Sequence, residues 1–207
     1  YFRRGSAASR LSPAHIAPRL LQARHLHATG IPPALSDSAR ALSFELMTQM
    51  RGAGRSVSFD PNLRPSLWSS EQQMIREINR LAALAHWVLP GLSEGRLLTG
   101  FEDPADIAAF YLDQGVEAVA IKLGPHGAYY RTQMDQGFVA GVPVHTVVDT
   151  VGAGDGFAVG MISALLENLS FPEAVHRGNW IGSRAVQSRG DMEGLPTRTE
   201  LPTRSVA

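Results

Sequence analysis

The chain has 207 residues, 44% of them hydrophobic, and its 19 lysines and arginines balance 19 aspartates and glutamates. Balanced charge argues against a general binder of nucleic acid or of a membrane surface, and the absence of cysteine excludes disulfides, thiolate metal sites and cysteine nucleophiles. No apolar run approaches the ~20 residues that cross a bilayer, so we expect a soluble cytoplasmic protein with one large domain or two small ones.

Strands and helices alternate through most of the chain when the apolar periods are followed in order. The predicted strands are residues 24–31, 55–60, 86–89 and 117–123, followed by an antiparallel pair at 128–132 and 138–144. The predicted helices are residues 36–52, 69–85, 92–99, 103–114 and 170–189, with a further helix that begins at Asp155. Residues 11–21 are predicted as a short helix plus a connection. This pattern predicts an α/β fold whose mostly parallel sheet has helices on both faces, with ligands at the carboxyl ends of the strands.

Two histidines lie two residues apart in the first predicted strand and therefore on the same face of it. His25 and His27 are candidate metal ligands by residue type. No third ligand lies nearby in the sequence, whereas a zinc site needs at least three protein ligands. A structural role is therefore favoured for both.

A glycine-rich turn is the most informative part of the chain. A short apolar run ends at Asp149-Thr150, the turn Gly152-Ala153-Gly154 follows, and Asp155 then heads a long apolar helix. The amides and dipole of a helix start bind anions, and glycines let the backbone approach a phosphate. A carboxylate beside an anion site is unfavourable unless it removes a proton from a hydroxyl while the amides hold the phosphoryl charge. The turn therefore predicts phosphoryl transfer to an alcohol.

Two common phosphate loops do not match this turn. The Walker pattern Gly-x-x-x-x-Gly-Lys-Ser/Thr is absent from the sequence. The dinucleotide pattern Gly-x-Gly-x-x-Gly fails because its last position is Phe157 when counted from Gly152 and Val159 when counted from Gly154. A nicotinamide-dependent enzyme is therefore disfavoured. A plain tight turn before a core helix would explain the glycines but not the second aspartate.

The nine positions from Asp149 to Phe157 resemble the C-terminal signature of the ribokinase-like (PfkB) carbohydrate kinases, at a strand-to-helix junction. The resemblance extends along nearly the whole chain and implies a three-layer αβα ribokinase-like fold. It implies that Asp155 is the base on the sugar hydroxyl, that the amides of Gly152, Ala153 and Gly154 form an anion hole, and that ATP is the phosphoryl donor. The positions that it assigns to the nucleotide are Asn62, Lys122, Gly124, Gly127 and Asn179.

The same resemblance implies two cation sites. Backbone around Asp149 resembles the monovalent-cation site of many members, which would hold K⁺. Many relatives also carry Asn-x-x-Glu for the water network of Mg²⁺, and the matching string here is Gly91-Leu92-Ser93-Glu94. Glu94 is kept, but glycine replaces the asparagine, so we expect Mg²⁺ to rest mainly on ATP phosphates and waters.

Arg64 is the residue that carries information about the sugar. It lies in the loop 60–65, where two prolines exclude regular structure. The planar fork of an arginine suits a carboxylate, whereas a neutral sugar offers it no charged partner. Together with Tyr1 and Arg3, this loop resembles the family members that phosphorylate the terminal hydroxyl of 2-keto-3-deoxygluconate, a sugar acid, to the 6-phosphate. Asp191 resembles a further substrate contact in that group.

Several alternatives stay open at this point. Arg64 and Arg3 could serve an ion pair or a phosphate, and Asp191 could be an ordinary turn residue. The protein could phosphorylate a neutral sugar such as fructose, or bind sugar and nucleotide without catalysis. The chain begins at Tyr1 rather than at methionine, and we expect residues 1–207 to be the major C-terminal part of one kinase domain. The family's N-terminal strands and lid, which often mediate contacts in a homo-oligomer, would then be absent.

Overall fold

The computed structural model describes residues 5–201. Tyr1 and Arg3, which the sequence assigns to the substrate, lie outside the described residues. The described chain divides into two compact units. Unit 1 comprises the chain up to Ile121 together with Arg131–Gln136, and unit 2 comprises Lys122–Tyr130 and the chain from Gly137 onward.

The strands form one sheet in the order β1-β2-β3-β4-β5-β6. They are β1 (His25–Thr29), β2 (Ser56–Asp60), β3 (Trp87–Val88), β4 (Ala118–Lys122), β5 (Gly127–Thr132) and β6 (Gln136–Ala140). Strands β1 to β4 pair in parallel, which confirms the predicted parallel sheet. Strands β5 and β6 are neighbours joined by three residues, and Thr132 N donates to Asp135 O at 2.7 Å. So short a connection requires an antiparallel pair, as predicted.

Apart from the first of them, the α-helices of the described chain match the predicted ones, with ends that differ by a few residues. They are α1 (Ile31–Leu35), α2 (Asp37–Gly52), α3 (Glu71–Ala82), α4 (Leu92–Thr99), α5 (Pro104–Leu112), α6 (Ala153–Leu166) and α7 (Phe171–Ala185). Serine side chains cap two of these helices, since Ser36 Oγ accepts from Ala39 N and Ser70 Oγ accepts from Gln73 N, both at 3.1 Å. Among the described helices, none combines the length and apolar character needed to cross a bilayer.

The first part of the chain differs from the prediction in two places. Residues 11–21 contain short 3-10 turns, Pro13–His15 and Pro18–Gln22. Each turn begins at a proline, which has no backbone N–H to donate and therefore cannot continue a preceding helix. The short helix α1 was not predicted, because two prolines in sequence usually indicate that a helix is absent. Both prolines lie in its first turn, where a missing N–H costs nothing.

The core of unit 1 contains apolar side chains of β2, α2 and α3. Its largest fully buried side chains include Met47, Met50, Phe59, Met74, Ile78 and Leu81. In unit 2, α6 and α7 pack backbone to backbone at glycines. A Cβ at Gly160 would lie 2.7 Å from the carbonyl oxygen of Arg177 and 2.9 Å from the Cα of Gly178. Alanine at Gly160 would therefore force the two helices apart.

Histidine–serine hydrogen bonds join β1 to β2. Ser56 Oγ donates to the carbonyl oxygen of Arg24, so it accepts from Nδ1 of His25 at 2.8 Å. Nε2 of His25 is then the acceptor for Ser58 Oγ at 2.9 Å, and Ser58 Oγ accepts in turn from Nδ1 of His27 at 2.8 Å. His25 also stacks on Trp87 with ring centroids 5.0 Å apart. These contacts fix His25 as a neutral imidazole and give both histidines a structural role.

Acid should destabilise the protein through His25. Burial first, and then the charges of His27 and His86, lower the pKa of His25 from 6.5 to about 4. Below pH 6.5 His25 takes up a proton in the unfolded chain but stays neutral in the folded chain. The contribution of His25 to the free energy of unfolding is therefore fully present above pH 6.5 and is lost as the pH falls to about 4. We expect a loss of about 2 kcal/mol between neutral pH and the lower end of this window. Urea unfolding of the intact protein across that range measures it.

His25→Gln is the comparison variant, because its side chain does not titrate in this range. Its stability should fall less on acidification than that of the unmodified protein. Burial also lowers the pKa of His86, so some acid sensitivity remains in the variant. The same fall in both proteins would show that His25 does not carry the effect.

Candidate active site

The residues before the glycine turn do not form a strand, so the predicted strand-to-helix junction is wrong on its strand side. Residues 146–150 have no regular structure, and Val147 and Val148 are 59% and 48% exposed. The amides of Val148 and Asp149 both donate to the carbonyl oxygen of Val186, at 2.8 and 3.3 Å. Val186 caps the C-terminus of α7. A helix end therefore holds this segment in place of the expected strand partner.

Gly152 makes the turn possible. It occupies the left-handed region with φ +80° at the start of α6, and its carbonyl oxygen accepts from Gly156 N at 2.7 Å. A Cβ at Gly152 would lie 2.8 Å from the carbonyl oxygen of Asp191. Both the positive φ and the close approach of another backbone segment require glycine here. The turn thus lies directly against the chain after α7.

The first turn of α6 presents backbone amides without a side-chain cap from the described residues. The amide of Ala153 lies 3.4 Å from Thr150 O, a long contact, and Gly154 and Asp155 supply the next two amides. Lys122 adds a full positive charge, since its Nζ lies 3.5 Å from the position of a Cβ at Gly154. Amides, helix dipole and ammonium group all favour an anion at this place.

Asp155 lies in the same first turn, and its side chain is exposed. The structure therefore brings together the residues that the sequence assigns to phosphoryl transfer within unit 2: the turn amides, Lys122 and Asp155. A carboxylate at the edge of an anion site can take a proton from a hydroxyl that attacks the anion.

The loop after β4 also depends on glycines. Gly124 has φ +61° and is exposed, and Gly127 has φ +111° and is buried. A Cβ at Gly127 would lie 2.1 Å from the carbonyl oxygen of Val139, and Leu123 N donates to Gly127 O at 2.8 Å. These contacts fold the loop back immediately after Lys122. The two glycines that the sequence assigns to the nucleotide are therefore required by the backbone.

Asn179 and Asp191 have structural contacts of their own. Asn179 is 9% exposed, and its Nδ2 donates to the carbonyl oxygens of Val139 and Ala140 at 3.0 and 3.1 Å. It fastens the end of β6 to α7, so the NH₂ of its amide group is occupied by backbone. Asp191 has an exposed side chain, and its backbone lies against Gly152. The proximity of Asp191 to the turn fits the substrate contact that the sequence suggests.

In unit 1, the loop after β2 carries Arg64. Asp60 is 2% exposed, and its Oδ1 accepts from Asn62 N at 3.2 Å, which closes a turn in which Asn62 has φ +38°. Asparagine is one of the few residues that tolerate this region. Nη1 of Arg64 donates to the carbonyl oxygens of Asn62 and Leu63 at 3.3 and 2.8 Å. Within residues 5–201 no ion pair joins Arg64 to a carboxylate.

The loop is also held from outside by two contacts that the sequence did not indicate. Gly30 N donates to Asp60 O at 3.0 Å, and a Cβ at Gly30 would lie 1.9 Å from Pro61 O. Leu63 N donates to Oε1 of Glu94 at 2.8 Å. Gly30 was placed inside the predicted strand 24–31, so its contact with the loop was not expected. The partner of Leu63 lies 31 residues away and no local pattern marks it.

The two assigned cation sites have the following geometry. Oδ1 of Asp149 accepts from Val151 N at 3.0 Å, a turn that orders the backbone before α6. Both oxygens of Glu94 accept backbone amides, from Gly91 and Leu63 at 2.8 Å each. Residues 5–201 contain no group of three or more histidine, aspartate or glutamate side chains arranged to hold a metal.

The family of the chain follows from comparison with known proteins. The model for pfkB family carbohydrate kinases matches residues 2–198, so the chain belongs to this family. It is 54% identical to the 2-dehydro-3-deoxygluconokinase of Bacillus subtilis (strain 168) over 97% of its own length and 62% of that protein's. The chain thus spans less than two thirds of this relative.

Solved structures agree with the family fold. A PfkB protein from Polaromonas sp. JS666 is 54% identical, with a TM-score of 0.88 over 97% of this chain and 64% of that one. A double mutant of fructokinase from Vibrio cholerae O395, in its fructose, ADP and potassium ion bound form, is 29% identical. Its TM-score is 0.86 over 96% of this chain and 65% of that one. The predicted ribokinase-like α/β fold is confirmed.

Proposed function

We propose that the protein to which this chain belongs transfers the γ-phosphoryl group of ATP to the terminal hydroxyl of 2-keto-3-deoxygluconate, giving the 6-phosphate. Asp155 accepts the proton of that hydroxyl as its oxygen attacks the γ-phosphorus. The amides of Gly152, Ala153 and Gly154, with Lys122, offset the charge that develops. The observation that carries this proposal is the exposed carboxylate of Asp155 at an uncapped helix start, beside an ammonium group. A non-catalytic binder would not need that carboxylate.

Recognition of the sugar acid is assigned to Arg64, with Tyr1 and Arg3 at the same carboxylate and keto end, and to Asp191. Arg64 supports this assignment, because Nη1 is held by two backbone carbonyls and the guanidinium has no carboxylate partner among the described residues. A guanidinium held in this way keeps its other N–H groups for a planar anion. The relative from Bacillus subtilis, a 2-dehydro-3-deoxygluconokinase at 54% identity, supports the same substrate.

For the nucleotide, we assign Asn62, Lys122, Gly124, Gly127 and Asn179. Mg²⁺ would lie mainly on ATP phosphates and water, with Glu94 in an indirect role, and it would neutralise phosphate charge during transfer. K⁺ would lie on the backbone around Asp149. The fructokinase relative solved with ADP and a potassium ion supports a nucleotide and a cation in this fold. The intact protein is assigned to the cytoplasm and to a homo-oligomer.

The alternative substrate is a neutral sugar, because a fructokinase shares the fold at 29% identity. Turnover of the intact protein with ATP decides between the two, measured as ADP released with 2-keto-3-deoxygluconate and with fructose at matched concentrations. We expect kcat/KM to be at least about 100-fold higher for the sugar acid, because fructose leaves Arg64 without its charged partner. A preference for fructose would overturn the substrate assignment, and no turnover with any sugar would overturn catalysis.

A further inference from the structure

Glu94 connects two segments of unit 1 that are distant in sequence. Its Oε2 accepts from Gly91 N and its Oε1 accepts from Leu63 N, both at 2.8 Å. Leu63 is held on its other side as well, since its carbonyl oxygen accepts from Nη1 of Arg64 at 2.8 Å. A continuous chain of charged hydrogen bonds therefore runs from the start of α4, through Glu94 and Leu63, to the guanidinium of Arg64.

We propose that Glu94 is a positioning residue for the sugar acid. It fixes the loop 60–64 so that the guanidinium of Arg64 is already in place when the carboxylate of the substrate arrives. A charge-assisted hydrogen bond is stronger than a neutral one, and preorganisation of a binding group raises affinity. The inference rests on the proposed role of Arg64 in binding the sugar acid. It gives Glu94 a role that does not pass through the metal.

Gly91 explains how Glu94 reaches both amides. Its backbone angles, φ −72° and ψ 155°, are ordinary, so the conformation does not require glycine. A Cβ at this position would, however, lie 3.3 Å from Oε2 of Glu94. The missing side chain leaves the carboxylate room to fold back onto Gly91 N.

Glu94→Gln in the intact protein tests the inference. The amide oxygen of glutamine can accept from one of the two backbone amides, but its NH₂ group would face the other N–H. We expect the Kd of 2-keto-3-deoxygluconate, measured by calorimetry without nucleotide or Mg²⁺, to rise about tenfold. The KM for the sugar acid should rise in parallel. The kcat and the Mg²⁺ concentration for half-maximal activity are measured on the same variant, so that an effect at the metal is separated from the effect on the sugar acid.

Gly91→Ala is a second, milder variant that keeps the carboxylate. Its methyl group would push Oε2 aside by a few tenths of an ångström, so the Kd of the sugar acid should rise about threefold. Glu102→Gln is the matched control. Glu102 is exposed, pairs with Nε of Arg96 at 2.9 Å on the surface, and its variant should bind the sugar acid as the unmodified protein does. Urea unfolding checks that every variant is folded.

The possible outcomes distinguish a failure of the inference about Glu94 from a failure of the proposed function. An unchanged Kd for the sugar acid in folded Glu94→Gln, with a shifted Mg²⁺ requirement, would assign Glu94 to the metal and overturn the inference. If Glu94→Gln does not fold, an unchanged Kd in Gly91→Ala overturns it instead. If the unmodified protein itself does not bind the sugar acid, the proposed function is wrong, and the inference that rests on it is wrong as well.

Discussion

Asp155→Asn should lower kcat by about 100-fold or more while ATP binds with unchanged affinity. Asparagine has the size of aspartate, but it cannot accept the proton of the sugar hydroxyl. The amides at the start of α6 and the ammonium group of Lys122 stay in place, so the phosphates keep their partners. The loss should therefore appear in the chemical step. Release of ADP measures kcat, and calorimetry measures the Kd of ATP on the same preparation.

Asp113→Asn is the matched control for this loss. Asp113 is exposed at the end of α5 in unit 1, and the same change of charge there should leave kcat within about twofold. Near-normal turnover in Asp155→Asn would show that Asp155 is not the base that accepts the proton of the sugar hydroxyl. A comparable loss of ATP affinity would instead assign Asp155 to nucleotide binding.

Arg64→Ala should lower kcat/KM for 2-keto-3-deoxygluconate by about 100-fold and for fructose by less than about threefold. The arginine is assigned to the carboxylate, which fructose lacks, so the effect should depend on the substrate. Activity of the variant with both sugars, relative to the unmodified protein, measures the difference. Arg19→Ala, at an exposed arginine in the first part of the chain, should change neither value.

Equal losses on the two sugars would contradict the carboxylate assignment. They would indicate that Arg64 acts on the loop alone, since its Nη1 also holds the carbonyl oxygens of Asn62 and Leu63. Arg64→Lys separates these roles further. Lysine keeps the charge but lacks the planar fork, so the sugar acid should recover only part of its affinity.

Local sequence determined most of the fold. The helices with serine caps, such as α2 and α3, follow from side chains that bind amides three residues away, and such contacts are visible in the sequence. The parallel strands follow from buried apolar runs that alternate with helices. The prediction failed where proline placement altered a periodic pattern, as in α1 and in residues 11–21.

The candidate site could be predicted only in part, for a physical reason. The glycine turn and Asp155 are contiguous in sequence, so the pattern alone indicates their chemistry. The contacts that hold the site are not local: Glu94 binds Leu63 from 31 positions away, and Asn179 binds Val139 from 40. The apolar run that contains Val147 and Val148 was placed at a strand-to-helix junction, but its backbone is held by the end of α7 instead.

His25, hydrogen-bonded between β1 and β2, also makes the protein take up protons from the solvent when it unfolds. The pKa of His25 is about 4 in the folded chain, whereas a solvent-exposed histidine in the unfolded chain has a pKa of 6.5. Between these values each molecule that unfolds takes up close to one proton at this residue. The heat of unfolding measured in a calorimeter must then include the ionisation enthalpy of the buffer. Two buffers of different ionisation enthalpy at the same pH should therefore report different heats for one and the same transition.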